Sequence, residues 1–158
     1  MKRIFTYILA SMMLVTSCEK HETPLFDTPY VRIGDSAWQS EANIDRNDDG
    51  MLTELFIGIS VSDHYFTEPI TIEYETAVGN GLEEGVDFKI QASTKSPVVF
   101  DPGTYTMPIR IIWYKTSGFD PSKDNTLTLT LKSSSVNDMV IGLPGPDHKN
   151  SSFKFNKL

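Results

Sequence analysis

The segment DRNDDG, which begins at Asp45, places oxygen-bearing side chains at the spacing of a calcium-binding loop. A helix-loop-helix calcium site has ligands at loop positions 1, 3 and 5, a glycine at position 6 and a bidentate glutamate at position 12. Asp45, Asn47, Asp49 and Gly50 match the first four positions, but position 12 is Phe56, which cannot bind a cation. The standard loop is therefore excluded.

Two interpretations of this segment remain open. In the first it is a solvated turn, in which Asn and Asp side chains bond their own backbone and Asp49-Gly50 closes a reversal. In the second it is a non-helical calcium loop completed by Glu54, Glu41 or a carboxylate of a neighbouring loop. The sequence thus requires no cofactor and is compatible with calcium.

Catalytic groups are sparse. Glu73 and Glu75 share one face of a predicted strand and lie about 7 Å apart, a separation compatible with inverting glycoside hydrolysis. Exposed strand faces commonly carry such charges, and His21, His64 and His148 have neither metal-ligand spacing nor a neighbouring nucleophile motif. We therefore expect a protein that is not an enzyme, with a small glycan-processing enzyme as the remote alternative.

Aromatic side chains are the better candidates for ligand contact. Trp38 and Tyr65 fall in or near predicted loops, and Tyr114 points away from the apolar face of the strand predicted at 107–113. Rings with a polar tip suit sugar rings or a protein partner. The competing interpretation is that Trp38 caps an end of the core and that Tyr114 faces a second layer or a sheet edge.

Apolar residues that could position these groups alternate with a period of two, and no segment keeps a helical pattern over ten positions. The sequence predicts an all-β domain over 29–158, a single immunoglobulin-like two-sheet antiparallel sandwich of about seven or eight strands. Pro108 predicts an edge strand or a bulge, because it cannot donate to a ladder. Predicted strands include 55–61, 70–74, 107–113, 126–131 and 153–155, with shorter ones at 30–33, 88–90 and 98–100; the stretches 34–52, 115–125 and 133–150 are predicted to be irregular.

The N-terminus predicts export. Residues 1–17 combine a basic start with an apolar stretch too short to span a bilayer. Val15-Thr16-Ser17-Cys18 resembles the lipobox of bacterial lipoproteins, which implies that Cys18 carries lipid and that 18–28 is a tether. The expected location is the outer membrane, anchored by lipid and displayed at the cell surface.

The net negative charge of the chain after residue 17 limits which partners it can bind. Without Lys2 and Arg3, 12 of the 14 basic residues remain against 21 acidic ones, a formal charge of −9. Such a surface repels phosphate backbones, which excludes nucleic acid as an expected partner.

Three segments, at 70–90, 98–111 and 127–131, resemble the Calx-beta domain, an immunoglobulin-like sandwich. The similarity includes Gly85-x-Asp87-Phe88 and the turn Phe100-x-Pro102-Gly103. Some Calx-beta domains bind calcium through acidic residues at one end, and the resemblance places Asp87 on such a position. The family's paired aspartates after the strand that ends at Tyr114 are replaced here by Lys115-Thr116-Ser117.

With the lipobox, the chain also resembles small lipoproteins of gut Bacteroidetes, often linked to polysaccharide-uptake loci. The expected function is therefore a non-enzymatic, lipid-anchored surface binding or adhesion module, with glycan as a candidate ligand. The alternative is a structural accessory protein of an outer-membrane polysaccharide-uptake complex, which would recognise a surface protein.

Overall fold

The computed structural model describes residues 28–60 and 66–158. In these residues the chain forms strands and one short 3-10 helix, Ala92–Thr94. No helix in this part of the chain is long and apolar enough to span a bilayer. The strands β1 to β10 are, in chain order, Tyr30–Gly34, Glu41–Ile44, Met51–Ser60, Ile70–Val78, Phe88–Ile90, Val98–Phe100, Thr106–Trp113, Thr126–Ser134, Val140–Ile141 and Ser152–Lys157.

The strands form two five-stranded sheets that pack as a sandwich. Sheet A has the order β5-β7-β3-β1-β9, and sheet B has the order β2-β10-β8-β4-β6. Most pairs are antiparallel, but β1 and β9 are parallel, as are β2 and β10. The predicted all-β sandwich is confirmed; the described strands number ten rather than seven or eight, and both sheets are mixed rather than purely antiparallel.

The core lies between the sheets and follows from the alternation in the sequence. In β8 every second residue, Leu127, Leu129 and Leu131, is buried, while the intervening threonines are half-buried on the outer face. Aromatic rings fill one end of this core: Trp113 packs against Phe88 at 5.6 Å and edge-on against Phe155 at 5.1 Å between ring centroids. These rings form the floor of the end of the sandwich that holds Asp87.

Both additional strands, β2 and β9, lie in stretches predicted to be irregular. Each is short and sits at the edge of its sheet, where β2 pairs with β10 and β9 pairs with β1. In β2 burial does alternate, because Ala42 packs partly buried against the core and Ile44 is buried, but four residues with a single large apolar side chain are too short for the sequence pattern to stand out. Strand β3 also begins earlier than predicted, at Met51.

Pro108 lies in β7, which is an interior strand of sheet A, so the prediction of an edge strand is wrong. The amide of Arg110, two residues on, points away from β3 and donates to Thr94 Oγ1 at 3.1 Å. Alternate residues of a strand point their N–H groups to the same side, so the position of the missing N–H of Pro108 also faces away from β3, toward β5. Strand β5 pairs with β7 only from Trp113 to Ile111 and does not extend as far as Pro108. The proline is tolerated because its side of the strand is locally unpaired.

Candidate functional site

The DRNDDG segment forms an exposed turn between β2 and β3. Asp45 Oδ1 accepts the backbone N–H of Asn47 at 2.8 Å and its side-chain amide at 2.9 Å, and Asp48 N–H bonds Asp45 O at 3.0 Å. Gly50 follows with φ +74°, a conformation that favours glycine. The hydrogen bond from the Asn47 backbone is the main reason that the pKa of Asp45 is lowered. The carboxylate is thus engaged by its own turn, and Asp49 is exposed beside it.

Asp87 is buried, with 6% of its surface exposed, and both of its carboxylate oxygens are engaged. Oδ2 accepts the backbone N–H of Glu83 at 2.9 Å, and Oδ1 accepts the Thr116 hydroxyl at 2.6 Å. Thr116 N–H in turn bonds the carbonyl of Arg46 at 3.0 Å. Through Thr116, the structure brings the Asp87 loop and the DRNDDG turn to the same end of the sandwich, which we call the Asp87 end.

Lys157 lies at the centre of the Asp87 end, and sequence reasoning missed it. Its side chain is 1% exposed, and Nζ donates to the backbone carbonyls of Asp87, at 3.1 Å, and of Tyr114. Burial lowers the pKa of Lys157, while the negative charges of Asp87 and Asp48 oppose that shift. The described residues contain no group of three or more His, Cys, Asp or Glu side chains that could hold a metal ion.

A second feature is an open cleft of about 450 Å³ beside Trp38. Its walls are the loop after β1 and the loop before β10. The residues that line this Trp38 cleft are Trp38, Gln39, Ser40, Asp147, His148, Lys149, Asn150, Ser151 and Ser152. The lining thus combines a tryptophan with residues that carry amide, hydroxyl and charged side chains.

Trp38 is held from several sides. The tip of its indole lies against Gly58, where an added Cβ would meet Cη2 at 2.5 Å, and the guanidinium of Arg32 lies 3.6 Å from the ring centroid. Arg32 and Gly58 are direct partners in β1 and β3, so the ring lies on the outer face of sheet A. The indole is half-buried there rather than inserted into the core.

The backbone of the cleft has unusual conformations. Among the described residues four non-glycine residues have positive φ, and three of them line the cleft: Trp38 at 58°, His148 at 41° and Asn150 at 59°. Asn150 joins the two walls, because its side-chain amide donates to Ile33 O at 3.2 Å and to Trp38 O at 2.9 Å. Such conformations persist only where surrounding contacts hold them, and they concentrate at binding sites.

The remaining candidates are dispersed. Tyr114 is half-buried at the Asp87 end, whereas Trp38 contacts Gly58 at the far end of β3. Because Met51, which faces Trp113, and Gly58 are seven residues apart on β3, Trp38 and Tyr114 lie roughly 20 Å apart. Cys18 and Tyr65 lie outside the described residues, as do the predicted signal segment and most of the tether.

Glu73 and Glu75 are both exposed on sheet B. Glu73 Oε2 accepts the Ser133 hydroxyl at 2.8 Å, and Glu75 forms an ion pair with Lys132. Each carboxylate therefore has a neighbour of its own on the sheet surface, away from the Trp38 cleft.

No protein-family model matches the chain, and no curated protein does. Solved structures are similar to it. The apo-form Calx CBD1 domain is 19% identical with a TM-score of 0.51, and the match covers 82% of this chain and 98% of that one. CBD12 from CALX1.2 is 18% identical with a TM-score of 0.50, covering 78% of this chain and 42% of that one.

A third similar structure is Bacteroides thetaiotamicron EndoBT-3987 with Man5GlcNAc product. It is 11% identical with a TM-score of 0.52, and the match covers 81% of this chain and 31% of that one. At such identities these similarities establish the fold alone, which is Calx-beta-like.

Proposed function

We propose that this protein is a non-enzymatic, lipid-anchored binding module of the cell surface that holds a carbohydrate in the Trp38 cleft. The observation that carries the proposal is the cleft itself: Trp38 and residues with amide and hydroxyl side chains line one open groove whose walls are joined by Asn150. Sugar rings stack their C–H faces on indole, while their hydroxyls bond amide and carboxylate side chains.

The cleft is open rather than enclosed, which suits a segment of a polymer or a branch of a larger glycan more than a free monosaccharide. Its Gln39, Asp147 and Lys149 side chains are exposed and free to meet hydroxyl groups. The proposed binding uses no metal, because the cleft lies at the opposite end of β3 from the Asp87 end, which holds the acidic residues that were the candidates for calcium. The lipid on Cys18 would keep the module at the outer membrane, close to incoming polysaccharide.

The test is affinity gel electrophoresis of the purified protein in gels that contain yeast mannan, xylan, laminarin or mucin O-glycan. A high-mannose oligosaccharide, Man5GlcNAc, serves as a competitor, because it accompanies one of the similar structures. We expect at least one polysaccharide to retain the protein and Trp38→Ala to abolish that retention. Tyr114→Ala, which removes an aromatic ring at the other end of the sandwich, should leave retention unchanged. Retention lost only in Tyr114→Ala, or no retention in any gel, would contradict the proposal.

One observation favours the alternative of an accessory subunit that recognises protein. Leu52 is 51% exposed on the outer face of sheet A, directly opposite half-buried Ile112 in the β3–β7 register. Exposed apolar side chains that are adjacent on a sheet mark contact surfaces more often than isolated ones do. A stable partner captured from outer membranes, lost in Leu52→Asp and indifferent to Trp38→Ala, would favour this alternative.

A further inference from the structure

Lys157 ends β10 with its side chain pointing into the protein. Phe153 and Phe155, four and two residues earlier on the same face, are fully buried, and the alternation places Lys157 inward with them. A lysine that is 1% exposed is rare, because an ammonium group loses hydration unless other groups replace its water. Groups of the protein must therefore take the place of the water around the Lys157 ammonium.

The ammonium contacts one backbone oxygen from each of two separate segments. It donates to the carbonyls of Asp87 and Tyr114, and its Nζ lies 5.7 Å from the centroid of the Trp113 ring. Asp87 and Asp48, one from each of the acidic loops at the Asp87 end, place negative charge near it. Carbonyl oxygens with flanking carboxylates form the type of environment that proteins otherwise offer to a hard cation.

Calcium does not fit the residues that are present. It needs six to eight oxygen ligands. Both carboxylate oxygens of Asp87 accept hydrogen bonds, from Glu83 and Thr116, and the carbonyls of Asp87 and Tyr114 face the ammonium. A divalent ion beside the Lys157 ammonium would also meet direct repulsion between like charges.

We propose that the ammonium of Lys157 is a tethered cation that takes the place of a metal ion at the Asp87 end and holds its loops together. The segment around Asp87, the segment after β7 and the DRNDDG turn then need no calcium to order them. The C-terminus contributes as well, since Arg46 N–H bonds Leu158 O at 2.8 Å and Leu158 N–H bonds Ile44 O at 2.9 Å. This inference is independent of carbohydrate binding in the Trp38 cleft.

The first part of the test uses the unaltered protein. Calcium chloride should produce no saturable heat in titration calorimetry, and melting with calcium should match melting with EDTA. A ligand that binds only the folded state at about one hundred times its Kd stabilises it by about 2.7 kcal/mol, which is readily seen as a shift in Tm. Saturable calcium binding that Asp87→Asn abolishes would overturn the proposal.

The second part measures hydrogen exchange in Lys157→Met, which keeps most of the unbranched side chain and removes its ammonium group. Exchange of the Tyr114 and Thr116 amides, which bond Asp87 O and Arg46 O, should accelerate at least tenfold relative to amides in β8. Lys154→Met is the matched control, because Lys154 is exposed on the opposite face of the same strand. Equal protection of these amides in Lys157→Met and in the unaltered protein would also overturn the proposal.

Discussion

The side-chain amide of Asn150 donates to the backbone carbonyl of Trp38 at 2.9 Å and thereby joins two loops that are 112 residues apart in the chain. The same amide also bonds Ile33 O in β1. One side chain therefore sets the position of Trp38 relative to the opposite wall of the cleft. The proposed carbohydrate site depends on this link.

Asn150→Asp should loosen the cleft. The substitution preserves tolerance of positive φ but replaces two N–H donors by a carboxylate facing two carbonyls. We expect the free energy of unfolding to fall by about 1–3 kcal/mol and polysaccharide retention to weaken. Urea unfolding and affinity gels measure the two effects. Asn156→Asp, where a single exposed bond of 3.3 Å to Asn43 is lost, is the control and should behave nearly as the unaltered protein.

Gly58→Ala tests the position of the Trp38 ring without changing a lining residue. The new Cβ would lie 2.5 Å from Cη2 of the indole, so the ring must move or the strand must shift. We expect a loss of about 1–3 kcal/mol in stability, a change in tryptophan fluorescence and weaker retention. Gly118→Ala is the matched control, because a Cβ there meets no atom within 4 Å. Unchanged polysaccharide retention in Gly58→Ala would show that binding does not depend on the position of the Trp38 ring.

Tyr74 predicts a loss of stability at high pH. Burial raises its pKa to about 12, and its hydroxyl donates to Thr94 O at 2.9 Å. In the unfolded chain the phenol ionises near its ordinary value of 10.0. Between these two pKa values the unfolded state binds fewer protons than the folded state. The contribution of Tyr74 to the free energy of unfolding is therefore fully present below the unfolded pKa and falls as pH rises toward the folded pKa. Tyr74→Phe should flatten this part of a urea-unfolding series; a fall of the same size in the variant would assign it to other groups.

The lowered pKa of Lys157 predicts that the free energy of unfolding rises with pH, in a range below the one in which Tyr74 makes it fall. Its folded pKa lies below the ordinary 10.5, so as pH rises the folded state releases this proton before the unfolded state does. The unfolded state then binds more protons, and the contribution of Lys157 to the free energy of unfolding rises with pH until both states are neutral. This rise measures the cost of removing the ammonium from water, which its hydrogen bonds to the Asp87 and Tyr114 carbonyls offset only in part. Lys157→Met should remove the rise, and Lys154→Met should retain it. An identical slope in both variants would show that Lys157 does not titrate in this way.

Much of the fold could be predicted from local pattern. Alternation placed Leu127, Leu129 and Leu131 in the core, and Asp101-Pro102-Gly103 forms the expected turn, with Thr104 N–H bonded to Asp101 O at 2.9 Å and Gly103 at φ +84°. Such features depend on neighbours in the chain. Strand β9, two residues long and half-buried, exists only because its backbone pairs with distant β1.

The Trp38 cleft and the surroundings of Lys157 were harder to predict, because they are formed by residues far apart in the chain. Trp38 was identified as a candidate from its residue type, but its cleft requires loops that meet only in the folded chain, and nothing around Asn150 in the sequence indicates the bond to Trp38. Lys157 did leave a signal, since it continues the alternation of Phe153 and Phe155. A lysine would nevertheless ordinarily be assigned to solvent, because this residue type is almost never fully buried.

The most direct test of carbohydrate binding in the Trp38 cleft is an NMR titration of the ¹⁵N-labelled protein with oligosaccharides from the polysaccharide that retains it in the gels. We predict saturable shifts of the amides of Gln39, Lys149 and Ser151, with no change at Lys115 or Thr116. Shifts centred on Lys115 and Thr116, or on the outer face of sheet B, would contradict the assignment of the cleft as the binding site.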